Sequence, residues 1–267
     1  MRYAISHSTT YTYSEKVSPC HNQIHLAPRR TANQECEYHQ LDVQPSPSDR
    51  ESRIDYFGNQ VGYFSILEPH SQLTIESSSR MTVTPTDVPA VSTSTPWESI
   101  KERLRSERTQ TLLDASQFTY ASPRVPVLRN DLSAKQLAES NQDQNRDSIV
   151  PEFREYALQS FTPGTPIAEG ALDLTHRIYT DFTFDSGATT LNTPVEVAFA
   201  RRHGVCQDFA HVQITCLRSL GLAARYVSGY LRTIPPKGQA RLIGADASHA
   251  WVSVFCGEMG WIDFDPT

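Results

Sequence analysis

The stretch VCQDFAHVQITCLRSLG, residues 205–221, decides how this chain is read. Cys206, Phe209, Ala210, Gln213, Cys216, Leu217 and Leu220 recur at three- and four-residue steps, the spacing of one helical face. Gly221 follows the last of them, where a helix needs a residue that tolerates left-handed backbone. The predicted helix therefore opens at Cys206, directly behind Gly204-Val205. A cysteine there has three readings: a buried packing residue, a metal ligand, or a nucleophile activated by the helix end.

Working outward, TPVEVAFARRHG predicts a shorter helix with Thr193 as N-cap, Pro194 in its first turn and Gly204 just past its end. Earlier still, PIAEGALDLTHRIYTDF carries Ala171, Leu174, Ile178 and Phe182 on one apolar face. Downstream, ARYVSGYL, SHAWVSVF and GWIDFDPT have the aromatic and β-branched content of strands. A helix feeding successive strands predicts an α+β domain in which an antiparallel sheet packs on that helix.

The first ninety or so residues have a different texture. RYAISHSTTYTY and QLTIESSSRMTVTP alternate as half-buried strands do, and RIDYFGNQVGYFSI places two aromatic runs around a turn at Gly58-Asn59. This part predicts an antiparallel β-sandwich-like module. The Pro/Ser/Thr-rich PTDVPAVSTSTP, residues 85–96, marks the boundary. The chain is thus divided into a β-rich domain at 1–88, a mixed helical and loop connector at 89–160, and a core at 161–267.

Composition narrows the function classes. A net charge of −6 leaves no basic surplus for nucleic acid. No apolar run is long enough to span a membrane, and MRYAISHSTTYTYSE has no apolar segment of the signal-peptide kind. The five cysteines show no CxxC spacing, which argues against a disulfide framework and a cysteine-rich zinc site. The expected compartment is the reducing cytoplasm, where a free thiol survives. His203, Cys206 and His211 lie close in sequence, but Gly204 interrupts them, so no metal site is expected; nor does any motif call for a cofactor.

What remains is thiol chemistry. Unpaired backbone N–H groups and the macrodipole at a helix N-terminus favour an anion, and the thiolate is the reactive form of cysteine. His249 on the SHAWVSVF strand supplies a base. In WIDFDP, Trp261, Asp263 and Asp265 share one strand face, so either aspartate could orient that histidine. Asp208, early in the helix, complements its dipole.

GVCQDFAH, GLAARYVSGYL, SHAWVSVF and GWIDFDPT together resemble the core motifs of the transglutaminase-like superfamily, in its bacterial thiol-hydrolase branch. The resemblance implies a papain/transglutaminase-like core with Cys206 as nucleophile, His249 as base and Asp265, rather than Asp263, as the third member. DYFGNQVGYFSI resembles the β-rich N-terminal domain that accompanies such cores in bacteria. Similar proteins continue past the DPT motif, whereas this sequence stops at Thr267, so the resemblance implies either a truncated core or one without the final strands. The expected activity is amide or peptide cleavage through a thioester on Cys206. The partner is a peptide, protein or small amide substrate, with neither nucleic acid nor membrane. The competing expectations are a protein-glutamine gamma-glutamyltransferase and a non-catalytic scaffold.

Overall fold

A computed structural model describes residues 1–85, 90–126, 150–190, 192–232 and 248–267. Most of the polar stretch 121–147, part of the expected helical and loop connector, lies outside the described residues, as does part of the boundary segment 85–96.

Six strands build the first part: β1 (Arg2–Val17), β2 (Cys20–Ile24), β3 (Gln34–Gln44), β4 (Asp49–Ile54), β5 (Gln60–Ile66) and β6 (His70–Val83). They form two three-stranded antiparallel sheets, ordered β1-β6-β3 and β2-β5-β4. Val43, Phe64, Ile66, Leu73 and Ile75, drawn from both sheets, make one buried cluster with Tyr13, Cys20, Ile24, Leu26 and Leu41 around it. The β4–β5 turn sits where expected. Gly58 supplies a positive φ of 80°, and the Asp55 carboxylate accepts from the Asn59 backbone N–H at 2.8 Å and from its side-chain amide at 3.0 Å.

The second part holds α1 (Trp97–Ser106), α2 (Gln110–Ser116), α3 (Val150–Leu158), α4 (Ile167–Asp181), α5 (Val195–Arg201) and α6 (Cys206–Ser219). It also holds a two-residue parallel pair, β7 (Thr183–Phe184) with β8 (His203–Gly204), and the antiparallel sheet β9 (Ala224–Tyr230), β10 (Ser248–Phe255) and β11 (Trp261–Phe264), ordered β11-β10-β9. The chain divides into two compact units, Met1–Val88 and Pro89–Thr267. Trp97, Ile100 and Leu104 of α1, Leu112 of α2 and Phe153 of α3 join the same core as α6, so the helices before residue 160 are part of the second unit's interior. The architecture is the expected α+β one. Among the described residues no helix is long and apolar enough to cross a membrane.

Helix α6 differs from its expected one-sided pattern: everything from Asp208 to Ser219 is buried except His211, which is partly covered. The sheet contributes Ala250, Val252 and Val254 on one side, and α3, α4 and α5 enclose the others. Its buried polar side chains tolerate this because each makes a hydrogen bond, although Gln213 Oε1 has no partner among the described residues. The Gln213 amide donates to Thr175 Oγ1 at 2.7 Å. The Arg218 guanidinium donates to the Ala224 carbonyl at 3.0 and 2.7 Å and to the Tyr120 carbonyl at 2.8 Å. The helix ends as predicted: Gly221 has φ +84°, its N–H reaches the Arg218 carbonyl, and the Leu222 N–H reaches the Leu217 carbonyl, the paired bonds of a Schellman cap.

Helix α5 corrects two local expectations. Its N-cap is Pro194, while Thr193 Oγ1 accepts from the Thr190 N–H at 2.9 Å instead of capping. The left-handed residue at its end is Arg202, with φ 55°, not Gly204. A non-glycine residue bears that strain because its guanidinium lies over the Phe199 ring at 3.9 Å and over Tyr156 and Phe182, both at 4.8 Å.

Candidate active site

Cys206 is the first residue of α6 and is partly buried. The chain enters the helix from an extended Val205 (φ −115°, ψ 178°) and turns helical in one step. The Val205 carbonyl takes the N–H groups of Asp208 at 2.9 Å and Phe209 at 3.1 Å, and the Val205 N–H goes to Asp208 Oδ2 at 2.9 Å. Among the described residues the N–H groups of Cys206 and Gln207 have no partner. Two donors at the positive end of a helix are thus unspent beside the thiol.

Gly204 has a reason the sequence did not disclose. A Cβ there would lie 2.7 Å from Asp208 Oδ2 and 2.8 Å from Asp208 Cβ, so this side chain occupies the space that any other residue would need. The same carboxylate oxygen accepts from Thr189 Oγ1 at 2.6 Å. Asp208 is only 3% exposed.

On the sheet, His249 of β10 and Asp265, one residue past β11, meet at 2.8 Å between Nε2 and Oδ2. Asp265 Oδ1 accepts from the Thr267 N–H at 3.1 Å, so both oxygens are engaged and the carboxylate is fixed against the ring. Of the two aspartates left open by strand periodicity, Asp265 reaches the histidine; Asp263 sits opposite Ser253 in the ladder. With Nε2–H directed at the carboxylate, Nδ1 is the ring nitrogen left for a thiol. No hydrogen bond joins Cys206 to His249 among the described residues. Such bonds are commonly long before substrate binds.

Aromatic rings line the sheet near these groups. Trp251 lies beside His249, with centroids 6.3 Å apart and planes at 26°. Its Cη2 would be 2.5 Å from a Cβ at Gly229, so Gly229 of β9 gives the indole a flat seat. Tyr226 stacks on His211 at 5.0 Å and 16°. Burial raises the Tyr226 phenol, and the charge of Cys206 raises it further. Burial, then Arg124, hold the His211 imidazole down at about 4. Sequence reasoning missed Thr189, Tyr226 and Gly229 and read Gly204 only as a helix stop; Gly229, a glycine inside a strand, was an available signal of close approach.

The other thiols sit elsewhere. Burial pushes Cys256 up to about 12 and Cys216 well above the ordinary thiol range. His203 is exposed, its Nδ1 2.7 Å from the Arg201 carbonyl, and His211 faces Tyr226. Among the described residues no three His, Cys, Asp or Glu side chains converge to hold a metal ion.

Comparison with known proteins gives two family matches. Residues 3–82 match the bacterial transglutaminase-like N-terminal region, and residues 154–266 match the transglutaminase-like superfamily. An uncharacterised protein of Mycobacterium tuberculosis is 40% identical over 276 residues, covering 100% of this chain and 78% of the relative. A protein-glutamine gamma-glutamyltransferase of Pseudomonas aeruginosa is 31% identical over 139 residues, 45% of this chain and 21% of that protein. Among solved structures, a proposed cysteine protease from Cytophaga hutchinsonii superposes with a TM-score of 0.68 at 20% identity, covering 100% of this chain and 76% of the other. That likeness extends to the fold.

Proposed function

The chain belongs to the transglutaminase-like superfamily, and from that premise we propose that it is a cysteine-dependent acyl-transfer enzyme cleaving amide or peptide bonds. The observation that carries this reading is the orientation of His249 by Asp265, set beside a helix that begins at Cys206 with unspent amides.

The chemistry runs in two halves. The Cys206 thiolate attacks the carbonyl carbon of an amide, and the developing oxyanion takes a hydrogen bond from the Cys206 N–H. His249, carrying the thiol proton on Nδ1, passes it to the leaving nitrogen as the C–N bond breaks. An amine departs and a thioester remains on Cys206. Water then adds to the thioester while His249 Nδ1 accepts its proton, and collapse returns the acid and the free thiolate–imidazolium pair. Asp265 holds the ring through Nε2–H and stabilises its cationic form throughout. The substrate class is a peptide, a protein or a small amide.

A second reading stays within the same chemistry: an amine in place of water would make the enzyme a gamma-glutamyltransferase. The Pseudomonas aeruginosa relative, which carries that name, favours it.

Alkylation tests the shared premise. Iodoacetamide below neutral pH should modify Cys206 far faster than Cys216 or Cys256, read by peptide mass spectrometry. A glutamine-peptide library with a dansylated amine then separates the two outcomes. Incorporated dye marks transfer, and new carboxyl ends mark hydrolysis; ammonia leaves glutamine in both, because it departs when the thioester forms. Equal, slow labelling of all three thiols would remove the nucleophile and the proposal with it.

A further inference from the structure

Asp208 is a carboxylate buried in the first turn of α6 with no ion pair among the described residues. A buried charge without a counter-ion is costly unless hydrogen bonds replace its solvation. Here a single oxygen, Oδ2, collects the Val205 N–H at 2.9 Å and the Thr189 hydroxyl at 2.6 Å, at the positive end of the helix. Bonds to a charged acceptor are roughly twice as strong as neutral ones. A neutral Ser or Asn would cap the helix, but it would hold Thr189 less firmly.

Thr189 is not a neighbour in sequence. It lies on the loop that follows β7, and that loop is anchored at its start by the Asp185 N–H on the Gly204 carbonyl at 2.9 Å. The bonds therefore close a ring: from Gly204 to Asp185, along the loop to Thr189, across to Asp208, and back through the Val205 N–H to Gly204. Inside that ring lie the two residues that aim the chain into Cys206. The ring also fixes which amides are used, since Val205 is taken and those of Cys206 and Gln207 are left over.

We infer that Thr189 and Asp208 form a positioning pair, which holds Gly204-Val205 so that the Cys206 thiolate stays on the unspent amides of α6. The inference rests on the reading of Cys206 as the nucleophile. Neither residue touches the reacting atoms; both act through the backbone that carries them.

The experiment uses the full chain and iodoacetamide as the probe, following the pH profile of Cys206 labelling. Thr189→Val removes the hydroxyl while keeping the shape, and Thr189→Ala serves if valine hinders folding. Thr189→Ser restores the donor. Freed of one donor, the Asp208 charge is less dispersed and the Val205 amide less fixed; both changes disfavour a nearby thiolate. The profile of the valine variant should move to higher pH by about half a unit to one unit, the scale of a lost cap. That is roughly three- to tenfold slower labelling at a fixed acidic pH. The serine variant should return to the wild-type profile.

A lowered melting temperature with an unmoved profile would assign the pair a structural role only and overturn the inference. So would a profile unchanged in both non-hydroxyl variants. The wild-type arm separates this from the broader reading: slow labelling of wild-type Cys206 removes the nucleophile itself, and the positioning pair with it. Fast wild-type labelling with indifferent Thr189 variants removes only the pair.

Discussion

Replacing Gly204 with alanine adds one methyl group at the tightest point of the candidate site. The new Cβ would stand 2.7 Å from Asp208 Oδ2, 2.8 Å from its Cβ and 3.0 Å from its Cγ. Carbon atoms prefer about 3.5–4.0 Å, so the Cβ–Cβ approach is short by roughly 0.7–1.2 Å. Rotation of Asp208 cannot relieve that contact, because its Cβ is fixed by the α6 backbone. Either the helix start or the β7–β8 pair must shift. Overpacking of this kind costs about 1–3 kcal/mol. Displacing Asp208 also weakens the cap on Val205, worth about 1 kcal/mol. The total is about 2–4 kcal/mol.

The readout can be confined to the right unit, since Trp97, Trp251 and Trp261 are the chain's three tryptophans and all lie in Pro89–Thr267. Urea unfolding followed by tryptophan fluorescence should show a midpoint lowered by about 1 M. Gly187→Ala is the matched control in the same region: its nearest neighbour, Asp185 Oδ1, is 3.5 Å away, an ordinary contact. That variant should stay within about 0.5 kcal/mol of wild type. A Gly204→Ala protein that unfolds with the control would refute the steric argument, and the claim that Asp208 fills the glycine's missing side chain.

Two further predictions use the same assay. Arg218→Ala should destabilise the second unit by about 3–5 kcal/mol, because it strips charged donors from the buried Ala224 and Tyr120 carbonyls; a loss below 1 kcal/mol would show that water replaces them. For His211, the folded imidazole is held down at about 4 against an ordinary 6.5, so between those values the unfolded chain binds the extra proton. Its contribution is complete above about pH 6.5 and is lost as pH falls toward 4, with a slope of up to about 1.4 kcal/mol per pH unit. His211→Phe, which keeps the stack on Tyr226, should flatten the change in urea midpoint between pH 7 and pH 5; an unchanged slope would place the titrating group elsewhere.

Much of this fold follows from local pattern. The strands of WIDF and SHAWVSVF, the helix at 206–219 and its glycine stop need only period and propensity, and all stand where those rules put them. The failures are tertiary. The face pattern of α6 gave no hint of its enclosure, because Thr215 and Arg218, off the apolar face and hydrogen-bonded, look like solvent-facing residues in a sequence. Gly204 looked like a helix stop because isolated glycines usually are. Its actual cause is a side chain four positions later, folded back over it. Arg202 takes the left-handed turn because three aromatic rings, two of them distant in sequence, support its guanidinium. At the candidate site, alternation put two aspartates on one face and could go no further. The family resemblance pointed to Asp265; in terms of the strands the choice depends on how far β11 runs along β10, which alternation does not supply.

The placement of β1 sets the tempo at which the first unit assembles. This strand zips onto β6 over most of its length, and the Met1 ammonium finds the carbonyl of Val83, 82 residues away. Hairpins such as β4–β5 close on microsecond scales, whereas a pairing that spans nearly the whole unit must first bring distant ends together. Until then β6 carries a bare row of backbone donors and acceptors along one side, a template open to strangers. The newborn chain is therefore most vulnerable to clumping before its first strand comes home.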